Sequence, residues 1–370
     1  MSVARTNDFG DLHLSVEHPM DENGCLILVH PKALCWCMRK RDGGIRYFYF
    51  STASIAIKNS CIFQSLSIPL TAMHLSKIAL ALTVVGLQAL AISHAQSKDT
   101  LTKIKEAGVI HLGGRDASFP FSYKVGSDEA PIGFSADLCM KVVDAVKAKL
   151  NLPQLKVQYT MVTPTNRIPL VQNGTIDLEC STTTNTKARA EMVEFAPTHF
   201  VGSVAVAVKK NSGITSMAQL DGKTVATVAG STSIQLLRAY RKNEKADIGE
   251  LSGKDTGETF LLLQSDRAAA MVLEDVQLAG LIARSGSTGE YKILDERLRD
   301  EPYGFMLRKD DPQFKALVET TLTTLMKSGE INQIYTKWFM RPLPPSNANL
   351  SFPMSPAVQE IYKNPNNKGV

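Results

Sequence analysis

The 370-residue sequence is short of the residues that catalysis and nucleic-acid reading usually need. Aromatic residues make up only 7%, and no dense Lys/Arg stripe is interleaved with them, which argues against a base-stacking surface. The net charge of +5 is small for this length. Beyond His111 there is one histidine, His199, in an apolar run, so a Ser-His-Asp triad or a histidine zinc site has little material. The patterns G-x-S-x-G, H-E-x-x-H and G-x-G-x-x-G are absent. The longest apolar run, residues 78–92, falls short of the ~20 residues that a membrane-spanning helix needs. What remains is globular composition: 44% hydrophobic, 21% charged, 24 Gly and 17 Pro. That excludes a mainly disordered chain, a collagen and a disulfide miniprotein. At roughly 100–200 residues per domain, two lobes are expected.

The chain changes character at Met73. His74 and Lys77 precede the apolar run, and Ser93-His94-Ala95 is a small-x-small step before Gln96. That order reads as a cleavable secretory signal peptide over 73–95, and no cysteine at the cleavage point supports a lipid anchor. Such a segment works at an N-terminus. Residues 1–72 are therefore expected to be over-read upstream sequence or a disordered extension. Their Cys25, Cys35, Cys37 and Cys61 have no zinc spacing, and their apolar stretch at 47–57 reads as a lone strand without a partner. Removing residues 1–95 takes Lys plus Arg from 41 to 33 and Asp plus Glu from 36 to 30, a net +3. Two cysteines remain, Cys139 and Cys180. In an exported chain they suggest one disulfide, with two buried thiols as the alternative.

From residue 101 the pattern alternates. A short helix at 102–106 precedes a strand at 109–113. Gly133 opens a helix whose apolar positions Ala136, Cys139, Val143, Val146 and Leu150 repeat every three or four residues. Strands follow at 155–162 and 176–180, with a helix at 166–172 between them. A second set has strands at 204–209, 224–228 and 268–273, and helices after Gly230, at 259–263 and at 277–284. A long amphipathic region at 311–339 leads into Pro342-Leu343-Pro344-Pro345, which forces an extended strap. The rhythm predicts an α/β fold with parallel sheets and helices on their faces.

The informative residues sit at strand ends. Ser181-Thr182-Thr183-Thr184-Asn185 follows a strand, with Arg189 five residues after Thr184; hydroxyls, helix-start N–H groups and a guanidinium suit a carboxylate. Gly230-Ser231-Thr232-Ser233 repeats the arrangement, without the Walker lysine of a phosphate loop. Glu274-Asp275 ends an apolar strand, where an acid can receive an ammonium. Arg115 and Arg167 stand after a strand and at a helix start. Helix capping and solvated charge explain each of these singly. Jointly, two lobes with anion sites, an acidic pair and extra arginines are what a zwitterion held between lobes requires.

These residues carry a resemblance. The stretches FPFSY at 119–123, NRIPLVQNGTIDLEC at 166–180, STTTN at 181–185, YGFMLRKDDPQF at 303–314 and KWF at 337–339 resemble the periplasmic solute-binding proteins of polar amino-acid ABC transporters, closest to the glutamate/aspartate branch. The resemblance runs over about 101–365. It implies a type II periplasmic-binding-protein fold, two α/β lobes joined by two crossing strands, with ligand trapped between them on closure. The lobes would be 96–206 plus 306–370 and 207–305, pivoting near 204–209 and 303–308. Arg189, Thr184 and Thr232 would hold the ligand's α-carboxylate, Thr182 with Glu274 and Asp275 its ammonium, and Arg115 and Arg167 its side-chain carboxylate. Three positions depart from the branch: Thr256 replaces a histidine, Pro164 a serine and Glu274 an aspartate. The first two remove donors near the ligand's distal end.

The expectation is a periplasmic receptor for L-glutamate or L-aspartate, monomeric, without cofactor, metal or nucleic acid, serving the permease and ATPase subunits of an importer. The alternatives are a receptor for glutamine, asparagine or another dicarboxylate, and a periplasmic cyclohexadienyl-type dehydratase on the same scaffold, with the acidic pair as general acid. A sensor's ligand domain is disfavoured, because no transmembrane helix or signalling module follows.

Overall fold

The computed structural model describes residues 25–30, 34–41, 44–50, 99–127 and 129–370. The chain forms two compact units, Met1–His94 and Ala95–Val370. The segment 73–95, expected to be a signal peptide, lies outside the described residues. In the first unit, β1 (Cys25–His30), β2 (Leu34–Arg41) and β3 (Gly44–Phe50) make an antiparallel sheet in that order. This corrects the lone strand expected at 47–57. Residues 44–50 pair with β2, from Arg41 opposite Gly44 to Cys35 opposite Phe50. The overlooked signal is Asp42-Gly43, a pair favoured in two-residue hairpin connections.

The second unit holds β4 (Val109–Gly114), β5 (Ala117–Ser118), β6 (Ser122–Tyr123), β7 (Lys156–Met161), β8 (Leu178–Glu179), β9 (Glu194–Phe195), β10 (Phe200–Lys209), β11 (Thr224–Val228), β12 (Gly249–Gly253), β13 (Ala270–Glu274), β14 (Tyr291–Ile293), β15 (Asp300–Tyr303) and β16 (Met306–Leu307). They build two lobes. One sheet has the order β7-β4-β8-β16-β9, and the other β12-β11-β13-β10-β14 with β15 added to β10. Both sheets are mixed, not purely parallel as the rhythm suggested. The strands linked by helices are parallel, namely β4 with β7 and β8, and β11 with β12 and β13; β10 and β16 run against their neighbours.

The lobes are joined where β10 meets β15. Phe200–Ser203 pair with Asp300–Tyr303, whereas Val204–Val208 are held by β13, with β14 flanking Ala207–Lys209. Strand residues bonded on both sides are poor pivots. The β10/β15 pairing thus lies three to four residues ahead of the segments expected as pivots from sequence.

Local chemistry explains the helices nearest the cleft. Phe134–Leu150 starts after Gly133, whose φ of 139° and close approach admit no side chain: a Cβ there would lie 2.2 Å from the Phe121 carbonyl oxygen. The region at 311–339 is two helices, Pro312–Ser328 and Glu330–Phe339, broken at Gly329 with φ 80°. The Pro-rich strap ends in a further helix, Pro356–Lys363. The first lobe's core gathers Phe121, Phe134, Phe200, Tyr303, Tyr335 and Phe339, and a Cys139–Cys180 disulfide ties the Phe134–Leu150 helix to the end of β8.

Candidate functional site

A small cavity of about 30 Å³ lies between the lobes. Arg115, Arg167, Thr182, Thr184, Arg189, Thr232, Thr256 and Glu274 all line it, as do Ser118, Pro164, Ser231, Gln277, Val228 and Leu273. Asp275 does not. Its carboxylate accepts the Ser203 and Val276 backbone N–H groups at 3.1 and 2.8 Å and stands 3.6 Å from Arg297, so it secures the crossing strand. Neighbouring residues at a strand end face opposite ways, and only the first of this acidic pair turns inward.

Each wall is a strand end followed by a capped turn. After β4, the Arg115 N–H donates to Ser122 Oγ at 2.9 Å and its Nη2 reaches Glu179 Oε1 at 3.4 Å. After β8, Thr186 caps the short helix carrying Arg189, whose Nη1 donates to the Thr184 carbonyl at 2.9 Å. In the second lobe, Ser231 caps the Thr232–Glu244 helix by accepting the Ile234 N–H, so the first turn of that helix opens onto the cavity. The Thr232 hydroxyl donates to Glu301 at 2.7 Å, and Glu301 is itself gripped by Arg299 at 2.9 and 2.6 Å.

The lobes touch over the cavity. Arg189 Nη2 donates to the Gly230 carbonyl at 3.2 Å, Thr256 Oγ1 donates to the Ala117 carbonyl at 2.6 Å, and the Thr184 and Thr232 hydroxyls are 3.5 Å apart. Gly230, with φ +76°, lies so near Pro164 that a Cβ would sit 2.9 Å from its carbonyl oxygen. The arrangement is closed. The two departures from the branch pattern thus have visible roles: Thr256 spends its hydroxyl as a latch between lobes, and Pro164 is the surface against which Gly230 seats.

The electrostatics ask for an anion. Arg115, Arg167 and Arg189 are all buried, and burial lowers each guanidinium's pKa. Arg167 falls furthest, because Arg189 and Arg115 add like-charge repulsion to its burial. Burial, seconded by the negative charge of Glu301, pushes Glu274 up to about 7, while Arg189 pulls it down. Three guanidiniums and one carboxylate, Glu274, line the cavity, while Glu179 is bonded to Arg115 and Glu301 to Arg299. The wall carries an excess of positive charge, which a ligand with two carboxylates and one ammonium would offset.

Sequence reasoning missed Gln277, Glu179 and Glu301. Gln277 could have been found from its i+3 spacing to Glu274, and Glu179 from its place at the end of the strand expected at 176–180, directly ahead of Cys180. Among the described residues, no helix is long and apolar enough to cross a membrane, and no group of three or more His, Cys, Asp or Glu residues could hold a metal ion.

The profile described as bacterial extracellular solute-binding proteins, family 3, matches residues 110–341. The L-glutamate/L-aspartate-binding protein of Pseudomonas aeruginosa is 45% identical over 269 residues, covering 73% of this chain and 89% of that protein. The glutamate/aspartate import solute-binding protein of Escherichia coli is 39% identical over 305 residues, covering 80% of this chain and all of the relative. Among solved structures, an ancestral amino-acid-binding protein that is a precursor of cyclohexadienyl dehydratase aligns with a TM-score of 0.56 at 27% identity, over 65% of this chain and 99% of its own.

Proposed function

The chain belongs to family 3 of the bacterial extracellular solute-binding proteins, and we propose that it is the substrate-binding subunit of an ABC importer for glutamate and aspartate. The observation that carries this reading is the charge of the cavity wall: three buried guanidiniums, Arg115, Arg167 and Arg189, against one lining carboxylate, Glu274. Arg189, Thr184 and the N-terminal turn of the Thr232–Glu244 helix take the α-carboxylate, Glu274 with Thr182 the ammonium, and Arg115 with Arg167 the distal carboxylate. A neutral side chain in that last position would leave buried Arg167 without an anion and Arg115 with Glu179 alone, which is why glutamine and asparagine should bind less well.

Capture proceeds by rotation of the lobes about the β10/β15 crossing, which brings Thr256 to Ala117 and Arg189 to Gly230. The closed form is handed to the permease and ATPase subunits in the periplasm, where the protein acts as a monomer and performs no chemistry. The test is titration calorimetry of the purified protein, refolded to remove co-purified ligand, against L-Glu, L-Asp, L-Gln and L-Asn. Micromolar or tighter binding of Glu or Asp, lost in Arg115→Ala and Arg167→Ala, is expected. Equal binding of the amides would move the specificity. Turnover of a cyclohexadienyl acid would overturn the receptor reading in favour of a dehydratase.

A further inference from the structure

We propose that Gln277 is the second half of the ammonium receptor: its side-chain oxygen and the Glu274 carboxylate together accept the ligand's α-ammonium, so that the site takes amino acids and rejects the matching amine-free dicarboxylates. The inference rests on the amino-acid receptor reading and adds to it a residue and a selection rule.

Gln277 lines the cavity and is 3% exposed. It stands in the first turn of the helix Asp275–Arg284, three residues after Glu274 at the helix N-cap, so both side chains share one face. Glu274 does not use its side chain to cap that helix. Its Oε2 instead accepts from Gln277 Nε2 at 2.8 Å, and the same nitrogen donates to the Tyr303 hydroxyl at 3.0 Å. An ionised carboxylate can only accept, so the amide NH₂ must face Glu274, and both of its hydrogens are spent. The amide oxygen is thereby turned elsewhere, and it is buried without any hydrogen-bond partner.

Buried carbonyl oxygens are rarely left unpaired, because each forfeits its bonds to water. Here the orphan is an acceptor beside a carboxylate, on the wall of a ligand cavity. Arg189, the first of the cations acting on Glu274, directs one N–H of each terminal nitrogen at the Thr184 and Gly230 carbonyls, away from the amide oxygen. The missing donor is then the ligand's own. An ammonium has three N–H groups to place and the charge to match Glu274; a methylene at the same point would leave the amide oxygen and the carboxylate both unsatisfied. Gln277 also holds Glu274 in position and ties it to Tyr303 of β15.

The experiment compares L-glutamate with glutarate, which differs only in lacking the amine, by calorimetry on the full chain and on two variants. Wild type should prefer L-glutamate strongly. Gln277→Met, of similar length but without polar side-chain N or O, should cut that preference about tenfold or more, almost wholly through weaker glutamate binding. Gln277→Glu, which keeps an oxygen in place, should restore most of it at pH 8. If Gln277 only supports the fold, both ligands weaken together in Gln277→Met and the ratio stands, which overturns the proposal. A wild type that binds both ligands equally overturns it as well. Should the wild type prefer another amino acid, the same ratio is taken with that ligand's amine-free analogue. A wild type that binds no amino acid overturns the receptor reading, and this inference falls with it.

Discussion

Glu274 offers a direct test of the ammonium subsite, because burial and Glu301 hold its carboxyl at about 7 in the empty protein. The form that binds an ammonium is the carboxylate. Ligand binding should therefore pull the pKa down and expel a proton, and affinity should be lost as pH falls through 7. If only the carboxylate binds, Kd scales with the factor 1 + 10^(7 − pH), which is roughly 1.1 at pH 8, 2 at pH 7 and 11 at pH 6. The expected result is about a tenfold weakening of L-glutamate binding between pH 8 and pH 6, with about half a proton released at pH 7.

The empty protein should show the opposite trend. A folded-state pKa raised from 4.5 to about 7 means that the folded protein binds more protons than the unfolded chain between those values. Stability is then lost as pH rises through that window, by roughly 3 kcal/mol in total from this one group. Calorimetry in buffers of different ionisation enthalpy measures the proton count, and thermal melts of wild type against Glu274→Gln isolate the stability contribution. Binding heats that do not depend on the buffer, together with a flat affinity from pH 6 to 8, would refute the assignment of Glu274 to the ammonium.

Arg167→Met should weaken L-glutamate binding about a hundredfold, yet leave the ligand-free protein as stable or more so, because it removes a buried cation repelled by Arg189 and Arg115; calorimetry and melting curves read the two effects separately. Reducing Cys139–Cys180, which closes a separation of 41 residues, should cost about 4 kcal/mol, or about 10 °C in Tm, and intact mass should rise by about 2 Da on reduction. Gly230→Ala should slow or prevent closure, since its Cβ would meet Pro164 across the cleft; small-angle scattering with saturating ligand should then show a larger radius than wild type. Deleting residues 366–370 should weaken binding about tenfold with little loss of Tm, because Asn366, Asn367 and Val370 bond to Thr198, Asn185 and Lys187 and so hold the loop between Thr184 and Arg189.

The parts of this protein that are legible in its sequence are those fixed over a few residues. The three-four spacing from Ala136 to Leu150 marks a helix, Gly133 its start, and Gly329 is the kind of residue that breaks one, although the break was not anticipated. The cavity-lining residues at strand ends were legible for the same reason, since a strand, a hydroxyl-rich turn and a helix start are contiguous. Which strands run antiparallel was not. The pairing of β10 with β15 joins residues about a hundred apart, and nothing in either segment specifies its partner. Glu301 and Glu179 were missed because their importance comes from what they face once folded: Thr232 and Arg299 for one, Arg115 for the other.

The acidic pair shows why the missing information is functional as well as architectural. In sequence, Glu274 and Asp275 are interchangeable candidates for one ammonium. The strand end assigns them to different tasks: Glu274 to the cavity, and Asp275 to the Ser203 N–H in the crossing strand, where the lobes are joined. The proposed ammonium acceptor and the group bonded to the crossing strand are thus consecutive residues of one turn. On the proposed reading, a displacement of Glu274 on binding an ammonium would be passed to β10 through a single peptide unit. Asp275→Asn, which keeps the acceptor but drops the charge shared with Arg297, should therefore alter closing and opening rates more than the affinity of the closed site, and stopped-flow fluorescence against calorimetry would separate the two.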